Sequence, residues 1–363
     1  MYFYMPTKVY SEKNCVRNHA EELAALGTHA LLVTGRSSAE KNGSLSDVKE
    51  ALAKYHVACT HFNEVEENPS IETVMKARDT GVNAGCDFVI GIGGGSPMDA
   101  AKAIALMIEH KEEKEDFLFD ATKAVTSGSV PLALIPTTCG TGSESTPYSI
   151  LTRHELKTKS AIPHKIFATL SLIDGKYLAT APAHVLTDTT TDALAHFFES
   201  FVNVKATDYS RLCVVKGLEI WKRSQKLLQN LDTETPAEEA LFDMLNASMI
   251  AGMAITHTGT SLPHGLSYAL TYNTGMPHGK ACGFFMPGYL REAEKDMAAE
   301  VLQMAGFQDT EDLERYYEAT CGRDAVDTAV LEMSVQDMLS NPAKLLQPPF
   351  KVDEPMLRRI VGV

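Results

Sequence analysis

The chain has 363 residues, 44% hydrophobic and 22% charged, with a formal net charge of −14. It is long enough for two cores and too ordinary in composition for a disordered, collagen-like or coiled-coil protein. Its acidity argues against a nucleic-acid surface, which needs clustered Lys and Arg to neutralise phosphates, so small-molecule chemistry is expected.

In chain order, the first half alternates short apolar runs with helical periods. Ala30 to Thr34, Phe88 to Ile92 and Pro131 to Ile135 read as buried strands ending in turn residues. Helices are expected between them at Ser46 to Tyr55, Ser70 to Ala84 and Met98 to Ile108. Such alternation predicts a parallel sheet with helices on both faces, whose ligands bind beyond the strands' carboxyl ends. After TAPAH, residues 180–184, the periods lengthen into helices at Val185 to Val202, Asp208 to Asn230, Pro236 to His257 and Glu311 to Thr320. The second half is expected to be all-helical, with the boundary near Pro182. Seven scattered cysteines without a C-x-x-C point to reduced thiols. MYFYMPTKVYSEKN has no basic segment followed by an apolar run, and no stretch of about 18 apolar residues occurs. A cytoplasmic protein without membrane contact is expected.

Two segments carry chemistry at the strand ends. In VIGIGGGSPMDAAKA a strand runs into Gly93, Gly94, Gly95 and Ser96, and a helix is expected to open at Pro97 with Asp99 in its first turn. Glycines admit a pyrophosphate to the backbone, and the helix N-terminus receives its charge. The spacing is neither G-x-G-x-x-G nor a P-loop, and on this loop alone a structural turn reads equally well. PTTCGTGSE adds hydroxyls and glycines at the same sheet edge. Asn68 in ENPS is open to reading as an Asx turn former with no ligand role.

The second half holds a histidine and aspartate constellation. Asp192 and His196 are four apart on a predicted helix, so they share a face; taken alone, such pairs are mostly surface pairs or core histidines. His264 and His278 each sit between proline and glycine, which suggests a turn holding a ligand still. One carboxylate with three imidazoles suits Fe(II), Zn(II) or Mn(II), and a thiolate site is not expected. His257 is the main decoy, and the other histidines read as surface or core.

GIGGGSPMDAAKA, PTTCGTGSE, DALAH and the two PHG turns occur in this order, and over nearly the whole chain they resemble the iron-containing (group III) alcohol dehydrogenases. VTGRSSAEKNGS, VEENPS and TPYSILT are similar to the short-chain members like 1,3-propanediol dehydrogenase. The resemblance implies a dinucleotide-binding α/β domain over residues 1–181 and a helical metal and substrate domain over 182–363. It implies a homodimer that interconverts a small primary alcohol or diol and its aldehyde with a nicotinamide cofactor. A metal ion, iron with zinc as the alternative, polarises the alcohol oxygen. By the same carry-over, Asp192, His196, His264 and His278 are the ligands, and Gly94, Gly95 and Ser96 cradle the pyrophosphate. Thr137, Thr138 and Thr141 take the nicotinamide and ribose side. Lys159 contacts the cofactor, with Lys157 as its substitute, and Asn68, Asp99, Ser143 and Ile150 fall at cofactor positions.

One departure concerns the proton path. Many relatives carry a histidine four residues after the third ligand; here that residue is Tyr268, with an ordinary pKa near 10 that makes it a poor base, so it is expected to shape the pocket. The strand end LLVTGRSS differs from NAD-preferring relatives, which resemble VTD. Gly35 removes the carboxylate, while Arg36, Ser37, Ser38 and Lys41 offer a cation and hydroxyls to a 2′-phosphate, so NADP(H) is expected over NAD(H). Alternatively, Gly35 merely ends a strand. Rival readings are a dehydroquinate synthase-like lyase, a glycerol dehydrogenase-like enzyme and a catalytically silent nucleotide-binding assembly protein. The lyase lacks its cation cluster, since only Lys280 lies near the ligands. The glycerol enzymes match the glycine and PTT segments less well, and the intact ligand set argues against silence.

Overall fold

The computed structural model describes residues 2–124, 126, 128–156 and 158–363. Its contacts divide into two compact units, Met5–Thr138 with Ser143–Thr180, and Ala181–Val363 joined by Cys139–Gly142 and by residues up to Tyr4. The short Cys139–Gly142 excursion into the helical unit was not foreseen from sequence. It is fixed there by the Gly142 N–H, which donates to Ser248 Oγ at 3.2 Å.

The first unit carries strands β1 (Lys8–Ser11), β2 (His29–Gly35), β3 (Ala58–Val65), β4 (Phe88–Gly93), β5 (Leu132–Pro136), β6 (Ile150–Arg153), β7 (Thr158–Ala161) and β8 (Leu170–Ile173). Six form one sheet in the order β1-β8-β5-β4-β2-β3, and every pairing in it is parallel. β6 and β7 form a separate antiparallel pair. The α/β reading of this half is correct. Alternate residues of the central strands enter opposite cores: Leu31, Val33, Val89, Leu132 and Leu134 on one face, Ala30, Leu32, Phe88, Ile90, Ala133 and Ile135 on the other. Both faces are buried, which is why these strands read as continuous apolar runs.

Strand order decides where a ligand fits. From β2 the chain crosses outward to β3, then returns to β4 on the other side of β2. The carboxyl ends of β2 and β4 therefore flank the point where winding reverses, the usual crevice of such sheets. β2 ends at Gly35 and β4 at Gly93. Gly93 has φ +152°, and a Cβ there would lie 2.6 Å from the Pro97 ring, so only glycine makes this turn. The following helix spans Gly95–Glu109. It starts two residues earlier than expected, and Asp99 lies beyond its first turn.

The second unit is helical, as expected. Its core packs the helices Ala183–Phe201, Asp208–Leu228, Glu238–Thr258, Leu262–Thr274 and His278–Glu292 around Phe197, Phe198, Trp221, Phe285 and Tyr289. Among the described residues, no helix is long and apolar enough to cross a membrane.

Candidate metal centre and nucleotide loop

Three helices of the second unit supply the centre. Ala183–Phe201 carries Asp192 and His196, Leu262–Thr274 carries His264 as its third residue, and His278–Glu292 begins at His278. The two histidines expected on turns thus lie in first turns of helices. Proline is tolerated beside them because the early helical N–H groups need no internal partner. The last of these helices lies close against the first at Gly279, where a Cβ would fall 1.9 Å from the Asp188 carbonyl oxygen.

The donors converge on Asp192 Oδ1. His264 Nε2 is 3.3 Å away, His278 Nε2 3.9 Å and His196 Nε2 4.0 Å. The His196 and His264 rings stack at 4.5 Å between centroids. Asp192 Oδ1 and His264 Nε2 are buried and make no hydrogen bond among the described residues. Buried polar atoms left this way are costly unless something else satisfies them, and these are the atom types a divalent cation takes. The residues therefore fit a bound metal ion. His257, the decoy, uses its ring on the Tyr4 N–H and the Met253 carbonyl.

Sequence reasoning missed two participants. Glu199 is fully buried, seven residues after Asp192 on the same helix face. Its carboxylate accepts the N–H groups of Ser261 and His264 at 2.7 and 2.8 Å and faces His264 Nδ1 at 2.9 Å. It thus satisfies the open N-terminus of the Leu262–Thr274 helix and, by accepting a proton-bearing Nδ1, leaves Nε2 free as a donor to metal. The other is Cys282, one turn after His278, with Sγ 3.8 Å from His278 Nε2. Asp192, His264, His278 and Cys282 offer donor atoms that all lie within 4.8 Å of one another. A thiol thus lies beside the donor atoms, which the sequence reading did not foresee. The spacing of seven for Glu199 and of four for Cys282 was the available signal.

The electrostatics follow from this crowding. Burial would raise the Asp192 carboxyl, but the surrounding imidazoles hold it well below the usual range. Burial lowers His196 to about 4, so it is a neutral donor at physiological pH. Burial opposes charge on His264, yet Cys282, Glu199 and Asp192 raise it well above an ordinary histidine when no metal is bound; a metal ion at Nε2 would displace the proton there and leave the one on Nδ1. Burial raises the Cys282 thiol and the two imidazoles outweigh it, bringing it to about 7. Tyr268 stacks on His278 at 6.2 Å, and burial pushes its hydroxyl up.

In the first unit, the Asn68 N–H donates to Ser96 Oγ at 3.0 Å, and Asn68 Oδ1 accepts Lys159 Nζ at 2.6 Å. Asn68 has φ +59°, so it is a turn former and also a link between the glycine loop and β7. Lys157 lies outside the described residues. A Cβ on Gly94 would meet Thr138 at 3.0 Å, and the Thr137 N–H donates to Gly93 O at 2.9 Å, so these two loops lie side by side. Asp99 faces inward: its oxygens accept Ser143 Oγ–H at 2.6 Å and the Ile150 N–H at 3.0 Å. Lys102, also missed, is fully buried and donates to Ser143 Oγ and Tyr148 O. Arg36, Ser37 and Ser38 are exposed just beyond β2.

The family profile described as iron-containing alcohol dehydrogenase matches residues 6–175, and that of the C-terminal domain of the Fe-containing alcohol dehydrogenase family matches 186–336. The chain belongs to the iron-containing alcohol dehydrogenase family. Similar curated proteins include long-chain-alcohol dehydrogenase 1 of Geobacillus thermodenitrificans, 28% identical over 93% of this chain and 90% of its own length. The 1,3-propanediol dehydrogenase of Klebsiella pneumoniae is 27% identical over 77% of this chain and 72% of its own. The iron-containing alcohol dehydrogenase structure from Thermotoga maritima aligns with TM-score 0.89 and 35% identity, covering 100% of this chain and 99% of that one.

As an iron-containing alcohol dehydrogenase, the protein is an oxidoreductase that works with a metal ion and a nicotinamide cofactor. The resemblance read from the four motifs is thereby correct, and the lyase and silent-protein alternatives are not supported.

Proposed function

We propose that Asp192, His196, His264 and His278 hold one divalent ion, iron with zinc as the alternative, for interconversion of a small primary alcohol or diol and its aldehyde. The observation that carries this is the buried Asp192 Oδ1 and His264 Nε2, 3.3 Å apart without a hydrogen bond among the described residues. A divalent ion supplies Lewis acidity toward an alcohol or carbonyl oxygen, and the nicotinamide takes or returns the hydride. The chain's own part is orientation. Glu199 keeps His264 Nε2 facing Asp192, and Tyr268 lies against His278 as a wall, its raised pKa making it no base at neutral pH. The test measures bound metal and NAD(P)H turnover on short alcohols, diols and aldehydes. His264→Ala and His278→Ala are expected to lose both metal and activity; full retention of both would remove the assignment.

Residues 1–181 are read as the nucleotide-binding domain and 182–363 as the metal and substrate domain. In the former, Gly94, Gly95 and Ser96 receive the pyrophosphate. Thr137, Thr138 and Thr141 serve the nicotinamide side, and Asn68 and Lys159 brace the loop. Asp99, Ser143 and Ile150 support it from beneath through their mutual hydrogen bonds. NADP(H) is preferred over NAD(H). Gly35 has no positive φ, and a Cβ there would meet only ordinary contacts, Val65 O at 3.6 Å being the nearest. The backbone therefore does not demand glycine; what glycine provides is the absence of a carboxylate beside a 2′-phosphate, with Arg36, Ser37 and Ser38 exposed to receive it. A cytoplasmic setting is proposed, no disulfide joining the seven cysteines among the described residues, and a homodimer is proposed from the prevalence of two-fold symmetry. A monomeric mass by light scattering would remove the dimer.

A further inference from the structure

Of the four proposed ligands His278 is the most open to solvent, its side chain 33% exposed against 4–5% for the other three. It is the first residue of its helix, so neighbours rather than deep burial must hold its ring. Tyr268 lies nearly parallel to that ring, at 16° with centroids 6.2 Å apart. Cys282 Sγ is 3.8 Å from Nε2 and 3.9 Å from Nδ1, so the sulfur packs beside the ring and is aligned with neither nitrogen. The oxygen that meets Nδ1 is Ser267 Oγ, 3.4 Å away. Ser267 is completely buried, and its hydroxyl donates its one proton to the His264 carbonyl oxygen at 2.8 Å. Only lone pairs are left to face His278. Nδ1 must therefore carry the hydrogen for the contact to attract, and an imidazole protonated there presents the lone pair of Nε2, the nitrogen 3.9 Å from Asp192 Oδ1. The opposite tautomer would set two lone pairs against each other, and a flipped ring would put a carbon in place of Nδ1.

We propose that Ser267 is a positioning residue for His278: its hydroxyl accepts the Nδ1–H and so fixes the tautomer and ring orientation that present Nε2 to the metal. Ser267 does for His278 what Glu199 does for His264. The Leu262–Thr274 helix then carries one ligand and the residue that orients another. Ser267 is neutral and its contact is 3.4 Å, whereas Glu199 is a carboxylate at 2.9 Å. The effect of Ser267 is therefore expected near the lower end of the ~10–100-fold in metal affinity that such outer partners contribute. This rests on the metal site proposed above.

The test uses the full-length protein, stripped of metal and titrated with zinc(II) alone in competition with a chelating dye. Ser267→Ala is expected to weaken zinc binding about tenfold. In a His278→Ala background the same substitution is expected to cost nothing further, because Ser267 acts through that imidazole; a purely structural role would cost the same in both backgrounds. Proton NMR of the zinc-loaded wild type, which needs no Ser267 variant, is expected to show the His278 Nδ1–H as a hydrogen-bonded resonance protected from exchange. Full zinc affinity in Ser267→Ala, an equal loss in both backgrounds, or a freely exchanging Nδ1 proton overturns the role of Ser267 and leaves the metal site standing. Failure of wild type to bind zinc overturns both.

Discussion

Replacing Glu199 by Gln tests whether the centre depends on a residue outside the proposed ligand set. One carboxylate oxygen accepts the His264 N–H at 2.8 Å; the other accepts the Ser261 N–H at 2.7 Å and faces His264 Nδ1 at 2.9 Å. An amide has one accepting oxygen. Whichever way the new amide turns, its NH2 faces either the His264 N–H or the Ser261 N–H with Nδ1. In the second case Nδ1 must give up its proton, and Nε2 becomes the protonated nitrogen, unable to bind metal. Hydrogen bonds to charged groups contribute about 1.5–3 kcal/mol, and loss of an outer partner of a ligating histidine costs about 10–100-fold in metal affinity. Glu199→Gln is therefore expected to weaken metal binding by about that factor in competition against a chelator, while Glu199→Asp recovers part of it. Unchanged affinity in Glu199→Gln, with the metal-free melting temperature also unchanged, would refute the argument that this carboxylate sets the tautomer.

Three further outcomes follow from other sites. Gly279→Ala would put a methyl 1.9 Å from Asp188 O, so overpacking of about 1–3 kcal/mol is expected, and because the displaced helix carries His278, metal content should fall with the melting temperature; a variant with full metal content would show that the contact relaxes harmlessly. Gly35→Asp is expected to shift the kcat/KM ratio toward NAD(H) by tenfold or more, and a wild type already faster with NAD(H) would overturn the NADP(H) reading. Glu144 is buried, its carboxylate oxygens make no hydrogen bond among the described residues, and burial raises it to about 7. The folded state then holds this proton more tightly than the unfolded state, so the stability it confers is complete below about pH 4.5 and is lost as pH rises through about 7, on the order of 3 kcal/mol. Metal-free Glu144→Gln should lack this decline between pH 5 and 8, and melting curves that run parallel to wild type across that range would contradict it.

What was legible in the sequence was whatever had a local period. β2, β4 and β5 are buried on both faces and announce themselves as apolar runs, and the long helices of the second unit carry stripes with capping residues at their starts, such as Thr207 before Asp208–Leu228. The edge strands β1 and β3 were missed because their residues are mixed and partly exposed, KVYS and ACTHFNEV; they gain their pairing from a neighbour supplied by distant sequence. β8 is fully buried, LSLI, but only four residues long, too short to stand out from the loops around it. The helix start at Gly95 was placed late because Pro97 is a good opening residue and is also acceptable within the first turn.

The site divides along the same line. Asp192 with His196 and the two Pro-His-Gly segments are local patterns, and the sequence alone singles them out as candidate ligands. Glu199 and Cys282 each follow a proposed ligand on its own helix face, yet a buried Glu or Cys at that spacing is invisible until the third helix is in place. Glu199 matters only because the Leu262–Thr274 helix brings its N-terminus and His264 to it. Cys282 approaches the donors only because Gly279 lets its helix lie against Asp188. A metal centre built from three helices carries half its information in their packing, and that half is written in glycines and buried carboxylates rather than in the ligands. For this chain, substitutions that leave all four proposed ligands intact, at Glu199 and Gly279, should therefore be nearly as damaging to metal retention as loss of a ligand itself.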